Sequence, residues 1–497
     1  MEFAVSQQIV ERVKHASVLS AKTEPNSDVF RAAVKNLDEG GLSEVLYTTA
    51  RKPGSYGERI DSYWSLTPRV RPWAIVQPRN TAEVFNALVA LVKTEGCEFA
   101  VRSGGHMCYP GSNSIRDGFT IDLGLMNATE YNPETKLASI QPGCRWTNVY
   151  TYLEEHQVVK YEIVLADGTI ANASESVNPD LFRALKGGSN NFGIVTRFDM
   201  ETFPAHDVYD GIVTFPPSST DAVIDAFVDF TKQLHVVQDA HILAMWVSMS
   251  KRDISLLNGI VPDPTQPPDL TMVSMINMIM TQLDGVEKSP SLEKCMSIPN
   301  PVSNTMMHTT LAKKVAGFLI PSNREDIWFT LTYKLDKRII EKTTEVYERL
   351  VKDINERSPG CVIQMVLQPL PTTFGQHSAA RGGNMLGLER FKEDSVLFIA
   401  AVEGSTPGFY EMAFPITKAA IHEIEDFAKE VGGDVGFRYL NYCDGSQDPL
   451  GSYSEENIRK MKDAATKYDP TSVFQTRVPG GFKLSKVNRP VQKLSPG

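Results

Sequence analysis

Residues 102–110 read RSGGHMCYP and contain a glycine pair followed by a histidine. They follow an apolar run, residues 97–101, that we interpret as a buried strand. A glycine pair lets the backbone approach another group closely, because no Cβ stands in the way. The loop therefore places His106 beside backbone that is free to contact a ligand or a neighbouring segment.

The loop matches neither of the two common phosphate-binding fingerprints. It lacks the G-x-G-x-x-G spacing of dinucleotide-binding folds, and it lacks the Gly-Lys-Ser/Thr of a P-loop. Gly104 and Gly105 still permit a nest of inward-facing N–H groups that holds an anion. A tight glycine turn beneath a core histidine is the alternative that these residues leave open.

Residue spacing indicates no metal or hydrolase chemistry. His106, Cys108 and Cys97 lack the second histidine or carboxylate that a zinc site needs, so we predict no metal site. The G-x-S-x-G elbow of a serine hydrolase does not occur in the sequence.

Strands and helices alternate on both sides of the loop. Asn80, with Glu83 three residues later, predicts a capped helix after a first strand. The other predicted elements are strands at 72–78, 119–126 and 136–143, a helix at 146–157 (WTNVYTYLEEHQ) and a hairpin at 161–170 with its turn at Asp167-Gly168. This alternation predicts an α+β fold.

The length of 497 residues predicts more than one domain. We divide the chain into an N-terminal helical extension (1–60), a first domain around the glycine loop (61–205), a second α+β domain with an antiparallel sheet (206–434) and a compact C-terminal segment (435–497). The methionines of the second domain are interpreted as core filling.

Charge and hydropathy argue against several classes of partner. The net charge of -10, without a basic run, disfavours nucleic acid. No stretch approaches the roughly 18 consecutive apolar residues of a membrane helix, and charged residues at 11–15 interrupt any secretory signal core. Six cysteines without CxxC spacing fit free thiols. We expect a soluble, cytoplasmic protein that binds neither nucleic acid nor membrane, and we make no prediction of its oligomeric state.

Eight motifs follow one another along the chain: VQPRNTAEV, FAVRSGGH, GFTIDLGLMN, IQPGCRW, YEIVLADGTI, DLFRALKGGSNNFGIVT, YLNYCDGSQDPL and YDPTSVFQ. In this order they resemble the FAD-linked oxidase family with a PCMH-type flavin domain, and within it the berberine-bridge-enzyme-like branch. The resemblance implies a two-part flavin domain, an FAD cofactor and oxidation of a small organic molecule at a C–H next to oxygen or nitrogen. It also implies reoxidation by O2 and a place in secondary metabolism.

The resemblance also assigns site residues. The loop residues Arg102, Ser103, Gly104, Gly105 and His106 would cradle the FAD pyrophosphate, and His106 matches the histidine that bonds covalently to the flavin. The other flavin-lining positions would be Gly143, Gly193, Ile194, Asn441 and Tyr442. Tyr439, which shares a face with Asn441 if that run is extended, and Tyr442 are the candidate catalytic bases.

One junction departs from the family. Relatives carry a long glycine-rich segment between the helix and the 161–170 hairpin, whereas here Gln157 to Lys160 join them directly, an apparent deletion near 159–160. Two explanations remain open. The first is a trimmed gene model or splice form with a damaged flavin site, and the second is a natural variant that still holds FAD. The alternative function is accordingly that of a catalytically impaired or non-catalytic relative that binds a ligand or a partner.

Overall fold

The computed structural model describes residues 27–152, 156–260, 263, 265–317 and 322–487. Residues 1–26 of the predicted N-terminal extension and residues 153–155 of the predicted helix lie outside these ranges.

The glycine loop leaves a four-stranded sheet. Its strands are β1 (Leu46–Tyr47), β2 (Ala74–Val76), β3 (Phe99–Arg102) and β4 (Phe119–Asp122), in the spatial order β1-β2-β4-β3. β2 and β3 both run parallel to β4, so the loop after β3 and the end of β4 share one edge of the sheet. The edge that carries Arg102 therefore also carries Asp122.

A second sheet of five antiparallel strands adjoins the first. It consists of β5 (Thr129–Asn132), β6 (Leu137–Ile140), β7 (His156–Val164), β8 (Ile170–Ser174) and β9 (Ile194–Thr202), in the order β5-β6-β9-β7-β8. The pairing of β7 with β8 confirms the predicted hairpin. The helices of this half are α1 (Asp28–Glu39), α2 (Pro53–Asp61), α3 (Thr81–Lys93), α4 (Trp146–Tyr152) and α5 (Pro179–Leu185).

Local chemistry explains where α3 begins. The Asn80 side chain accepts a hydrogen bond from Glu83 N at 2.9 Å, as the capping box predicts. Val84, Leu88 and Leu91 then lie on one face and are fully buried against the first sheet.

The junction near residue 159 is a strand, not a helix end. β7 begins at His156, so the helix predicted over 146–157 is wrong at His156 and Gln157. β7 pairs with β9 over its whole length, and the register shifts between Val158 and Lys160, which leaves Val159 as the extra residue of a β-bulge. Pairing with β9 thus overrides the helical pattern.

The largest sheet has eight strands, all in antiparallel pairs. These are β10 (Val208–Phe215), β11 (Ala240–Ser250), β12 (Met272–Gln282), β13 (Ser303–Asn304), β14 (Met307–Thr309), β15 (Glu325–Lys334), β16 (Val362–Leu370) and β17 (Ser395–Gly404). Its helices are α6 (Thr220–Gln233), α7 (Lys251–Leu257), α8 (Glu293–Met296), α9 (Leu311–Gly317), α10 (Lys337–Arg357), α11 (Thr373–Ala380) and α12 (Phe409–Glu430). The antiparallel sheet confirms the predicted α+β fold class.

One face of this sheet forms the largest core with α6, α10 and α12. Ile327, Phe329 and Leu331 of β15 point into that core, together with Met278 and Met280 of β12. Because side chains alternate along a strand, Asp326, Trp328 and Thr330 point to the opposite face. That second face lies toward the glycine loop, as the contacts of Trp328 show below.

The C-terminal helices α13 (Glu455–Tyr468) and α14 (Val473–Thr476) return to the first sheet. Val473 and Phe474 join the core beneath β3 and β4. Arg477 accepts a backbone hydrogen bond from Phe99 N at 2.8 Å and donates from Nε to Cys97 O at 2.6 Å. The segment before these helices, residues 435–454, is thereby held next to the first half of the chain.

Candidate functional site

The glycine loop after β3 has a backbone that requires glycine at its centre. Gly105 has a φ of 68°, and a Cβ there would lie 2.8 Å from Arg102 Nε. Arg102 itself is buried, with its guanidinium 3.6 Å from the centre of the Tyr63 ring. The loop therefore folds over a buried guanidinium, which explains why it needs a residue without a side chain.

A single carboxylate balances the charge beneath the loop. Asp122, at the end of β4, accepts from Arg102 Nη1 at 3.3 Å and from Arg59 Nη2 at 2.7 Å. Gln77 also donates to it at 3.2 Å. Burial lowers the pKa of Arg102, because a charged guanidinium loses solvation there. Two guanidinium groups thus share one carboxylate beneath the loop.

Arg102 Nε has no hydrogen-bond partner among the described residues, although it is buried. A buried charged donor without an acceptor is costly, so the position beside it favours an anionic group. A glycine-containing turn can also direct successive backbone N–H groups toward an anion. The residues present therefore fit a cofactor that carries a diphosphate.

The loop is tied to the turn after β6. Ser103 Oγ donates a hydrogen bond to Pro142 O, and a Cβ at Gly104 would lie 3.4 Å from Arg145 Nη1. Gly143 packs directly against the carbonyl of Leu123, so glycine is required there by neighbouring backbone. The predicted site residues Ser103, Gly104 and Gly143 consequently lie together.

Two predicted site residues are held in the sheet instead. A Cβ at Gly193 would lie 2.6 Å from Val164 O, so glycine at 193 is needed for β9 to pass β7. Ile194 is 2% exposed and belongs to the core between the two sheets. Its side chain serves packing, and its backbone is the part that remains for a ligand.

His106 lies among aromatic rings from distant segments. Its ring centroid is 5.4 Å from that of Trp64 and 5.8 Å from that of Trp328, and Trp64 Nε1 donates to His106 O at 3.2 Å. The residue keeps an exposed surface, yet these indoles shield the imidazole. This loss of solvation, together with the charge of Arg145, lowers the pKa of His106. The neutral imidazole is therefore the favoured form at neutral pH.

The aromatic contacts continue from His106 to the C-terminal segment. Trp328 lies 6.1 Å from Tyr442, and Tyr442 lies 4.9 Å from Tyr439 in an edge-to-face arrangement. Residues 440–442 form a 3-10 turn, so the extended run on which Tyr439 and Asn441 would share a face is wrong. In a 3-10 turn residues three apart eclipse, which brings Tyr439 against Tyr442.

The two tyrosine hydroxyls differ in their surroundings. Tyr439 Oη accepts a hydrogen bond from Asn441 Nδ2 at 3.0 Å, and burial raises the pKa of Tyr439. Tyr442 Oη accepts from Gln368 Nε2 of β16 at 3.3 Å. The structure thus joins His106, Asn441 and both tyrosines in one cluster with Trp328 and Gln368.

A pair of buried carboxyl groups lies on the same sheet face as Trp328. Asp326 and Glu403 are directly opposite each other on β15 and β17, and each is 1% exposed. Both oxygens of Asp326 and Oε2 of Glu403 lack hydrogen-bond partners among the described residues. Burial raises the pKa of Asp326 to about 7 and places the pKa of Glu403 well above its ordinary value. The pair therefore retains a proton at neutral pH.

Sequence reasoning did not identify Trp64, Trp328, Gln368 or the Asp326–Glu403 pair. Each comes from a segment without a glycine turn or another local motif, and each joins the site through tertiary contacts alone. Sheet alternation places Asp326 and Trp328 on one face, because they lie two residues apart on β15, a strand that the sequence analysis did not predict. No local pattern indicates which face that is.

Comparison with known proteins agrees with these features. A family model described as an FAD binding domain matches residues 72–173. The FAD-dependent monooxygenase drtC of Aspergillus calidoustus is 32% identical, with 97% of this chain and 95% of that protein covered. That alignment extends over 522 positions, more than the 497 residues of this chain, so the relative carries residues that this chain lacks.

Solved structures show the same fold. The carbohydrate oxidase from Microdochium nivale, in complex with a substrate analogue, has a TM-score of 0.68 at 16% identity, with 92% of this chain and 100% of that chain covered. A variant of berberine bridge enzyme in complex with (S)-reticuline also has a TM-score of 0.68, at 13% identity, with 89% and 97% covered. No helix in the described ranges is long and apolar enough to cross a membrane.

Three observations indicate the same family: the glycine loop over a buried guanidinium, the matched FAD binding domain and the 32% identical relative. The chain belongs to the FAD-linked oxidoreductases with a PCMH-type flavin domain and has the fold of the berberine-bridge-enzyme-like enzymes.

Proposed function

We propose that this FAD-dependent oxidoreductase acts as an oxidase on a small organic molecule of secondary metabolism, at a C–H next to oxygen or nitrogen. Residues 61–205 and 435–497 would form the flavin domain, and residues 206–434 the substrate domain. When bound, FAD supplies the hydride acceptor, and O2 would then reoxidise it.

The observation that carries this proposal is the single cluster that His106, Trp328 and Tyr442 form. These residues come from the glycine loop, from β15 and from the C-terminal segment, and Trp328 contacts the other two rings at 5.8 and 6.1 Å. The cluster supports a site between the flavin domain and the polar face of the eight-stranded sheet. A substrate there would contact both the flavin and Tyr442.

Tyr442 is the base that the contacts favour. Loss of a hydride from carbon is assisted when the neighbouring O–H or N–H gives up its proton, and Tyr442 Oη would accept that proton. The amide of Gln368 donates to this oxygen and stabilises negative charge on it. Tyr439 is less suited, because burial raises its pKa. Asn441 would then position Tyr439 against Tyr442.

His106 would hold the cofactor by a covalent bond to the flavin. The lowered pKa of the imidazole supports this role, since the neutral ring is the nucleophile in such a bond. The N–H groups of residues 102–106 would hold the pyrophosphate.

The test is to purify the protein, precipitate it with acid and locate the yellow colour. Colour in the pellet is expected for the wild type, and colour in the supernatant is expected for His106→Ala. Wild-type colour in the supernatant would remove the covalent bond from the proposal but leave FAD as cofactor. A colourless wild-type protein would favour the alternative function, that of a non-catalytic relative whose flavin site is incomplete.

A further inference from the structure

Arg145 lies beside Gly104 of the glycine loop. A Cβ at Gly104 would be 3.4 Å from Arg145 Nη1, and the hydrogen bond from Ser103 to Pro142 fastens the two segments together. The side chain is exposed, and no carboxylate in the described parts of the chain forms an ion pair with it. A cation that stands unpaired beside a glycine nest is available to an anion.

The charges around the loop do not balance. Arg59, Arg102 and Arg145 surround it, whereas Asp122 is the carboxylate that pairs with the first two. Burial lowers the pKa of Arg102 and of His106, and the charge of Arg145 lowers both further, so Arg145 lies close to both residues. Arg102 Nε, buried and without an acceptor, marks the position on the inner side. Guanidinium groups beside Gly104 and Gly105 match the chemistry of a diphosphate, which presents several anionic oxygens.

We propose that Arg145 binds the diphosphate of FAD and closes the cradle from the solvent side. This inference rests on the proposed function, because it takes FAD to be the ligand of the loop. The ligand class recognised is an organic diphosphate, and the isoalloxazine ring takes no part in this contact.

The test compares FAD with riboflavin, which has the same ring system but no phosphate. Both ligands are titrated by flavin fluorescence into the full-length protein carrying His106→Ala, in which the proposed covalent bond cannot form. Arg145→Ala is then added to this background, and Arg116→Ala, an exposed arginine elsewhere, serves as the matched control. Arg145→Lys tests whether charge alone suffices.

We expect Arg145→Ala to weaken FAD binding roughly tenfold or more, as for loss of a charge-assisted hydrogen bond, while riboflavin binding changes less than twofold. The Arg116→Ala control should bind both ligands as the background protein does. Unchanged FAD affinity in Arg145→Ala would overturn the inference, as would an equal loss for FAD and riboflavin, since that indicates a general disturbance of the loop. A background protein that binds neither ligand would overturn the proposed function itself, and the inference with it.

Discussion

The glycine loop and the facing end of the eight-stranded sheet both bury charge, but with opposite balance. Beneath the loop, Arg59 and Arg102 share the single carboxylate of Asp122. On the sheet, Asp326 and Glu403 lie against each other without a cation bound to either, because the nearby Arg324 pairs with Asp253. The loop therefore keeps its charge and attracts an anion, whereas the sheet neutralises its charge by holding protons.

This difference separates two uses of buried ionisable groups. A guanidinium group stays protonated at any physiological pH. The unpartnered N–H of Arg102 therefore favours a ligand that accepts hydrogen bonds, such as a diphosphate. A buried pair of carboxyl groups can lose its negative charge by binding a proton, so it can stay buried without a ligand. Variants of the glycine loop and of the Asp326–Glu403 pair should therefore respond differently.

Asp122→Asn should have the largest effect. It removes the counterion of the buried Arg102 and of the half-buried Arg59, and we expect the free energy of unfolding to fall by about 3 to 5 kcal/mol. Denaturant unfolding monitored by tryptophan fluorescence measures this loss. If the loop instead carried no excess positive charge, a carboxylate-to-amide change would cost little, and a loss below about 1 kcal/mol would contradict this account.

Gly105→Ala should lower the free energy of unfolding by about 2 kcal/mol, because alanine is strained at a φ of 68° and its Cβ would displace Arg102. FAD content should fall as well. The matched control is Gly57→Ala, in helix α2, where no atom lies within 4 Å of the new Cβ. The control should be neutral or stabilising, since alanine favours the helix. Equal behaviour of the two variants would rule out a steric role for Gly105.

Asp326→Asn should change how the free energy of unfolding depends on pH. The native pKa of Asp326 is raised from 3.8 to about 7, so the native state binds its proton more tightly than the unfolded state does. Wild-type stability therefore falls as pH rises from about 4 to 7, and the amide removes that decline. At pH 8 we expect the variant to be more stable relative to wild type than it is at pH 4, by about 1.4 kcal/mol for each pH unit over which the native state alone holds the proton.

Denaturant unfolding at both pH values measures this difference. Glu95→Gln, at an exposed position, serves as the control and should show no such pH dependence. A variant that loses stability equally at pH 4 and pH 8 would show that Asp326 is ionised in the folded protein.

Gln368→Leu should have the smallest effect on stability and a moderate effect on rate. It removes the N–H donor from Tyr442 Oη, which costs about 1 kcal/mol of stabilisation of the charged oxygen and slows flavin reduction roughly fivefold. Anaerobic stopped-flow reduction measures the rate, and denaturant unfolding measures the stability. An unchanged rate of flavin reduction would show that the hydrogen bond from Gln368 does not assist Tyr442.

The sequence predicted the features that local chemistry decides. The Asn80 cap, the hairpin turn at Asp167-Gly168 and the glycine loop all depend on residues close in the chain, and the structure contains each of them. The predicted helix over 146–157 is wrong at His156 and Gln157 because pairing of β7 with β9 outweighs local helix propensity there. Tyr439 and Tyr442 meet through a 3-10 turn that no sequence pattern indicated.

The other members of the site could not be predicted for a different reason. Trp64, Trp328 and Gln368 reach it from segments far apart in the chain, and their positions depend on how the eight-stranded sheet faces the glycine loop. Arg145 was visible in the motif IQPGCRW, but its place over Gly104 follows from the bond between Ser103 and Pro142. Contacts between segments that are distant in the chain produce no local sequence pattern from which they could be predicted.

The central claim is that the loop from Arg102 to His106 holds FAD, with His106 as its anchor. Mass spectrometry of the proteolytic peptide that contains His106, taken from the wild-type protein, tests this claim most directly. The account predicts a peptide heavier by the mass of the flavin group, and the same peptide unmodified in His106→Ala. An unmodified wild-type peptide, from a protein without flavin absorbance, would contradict it.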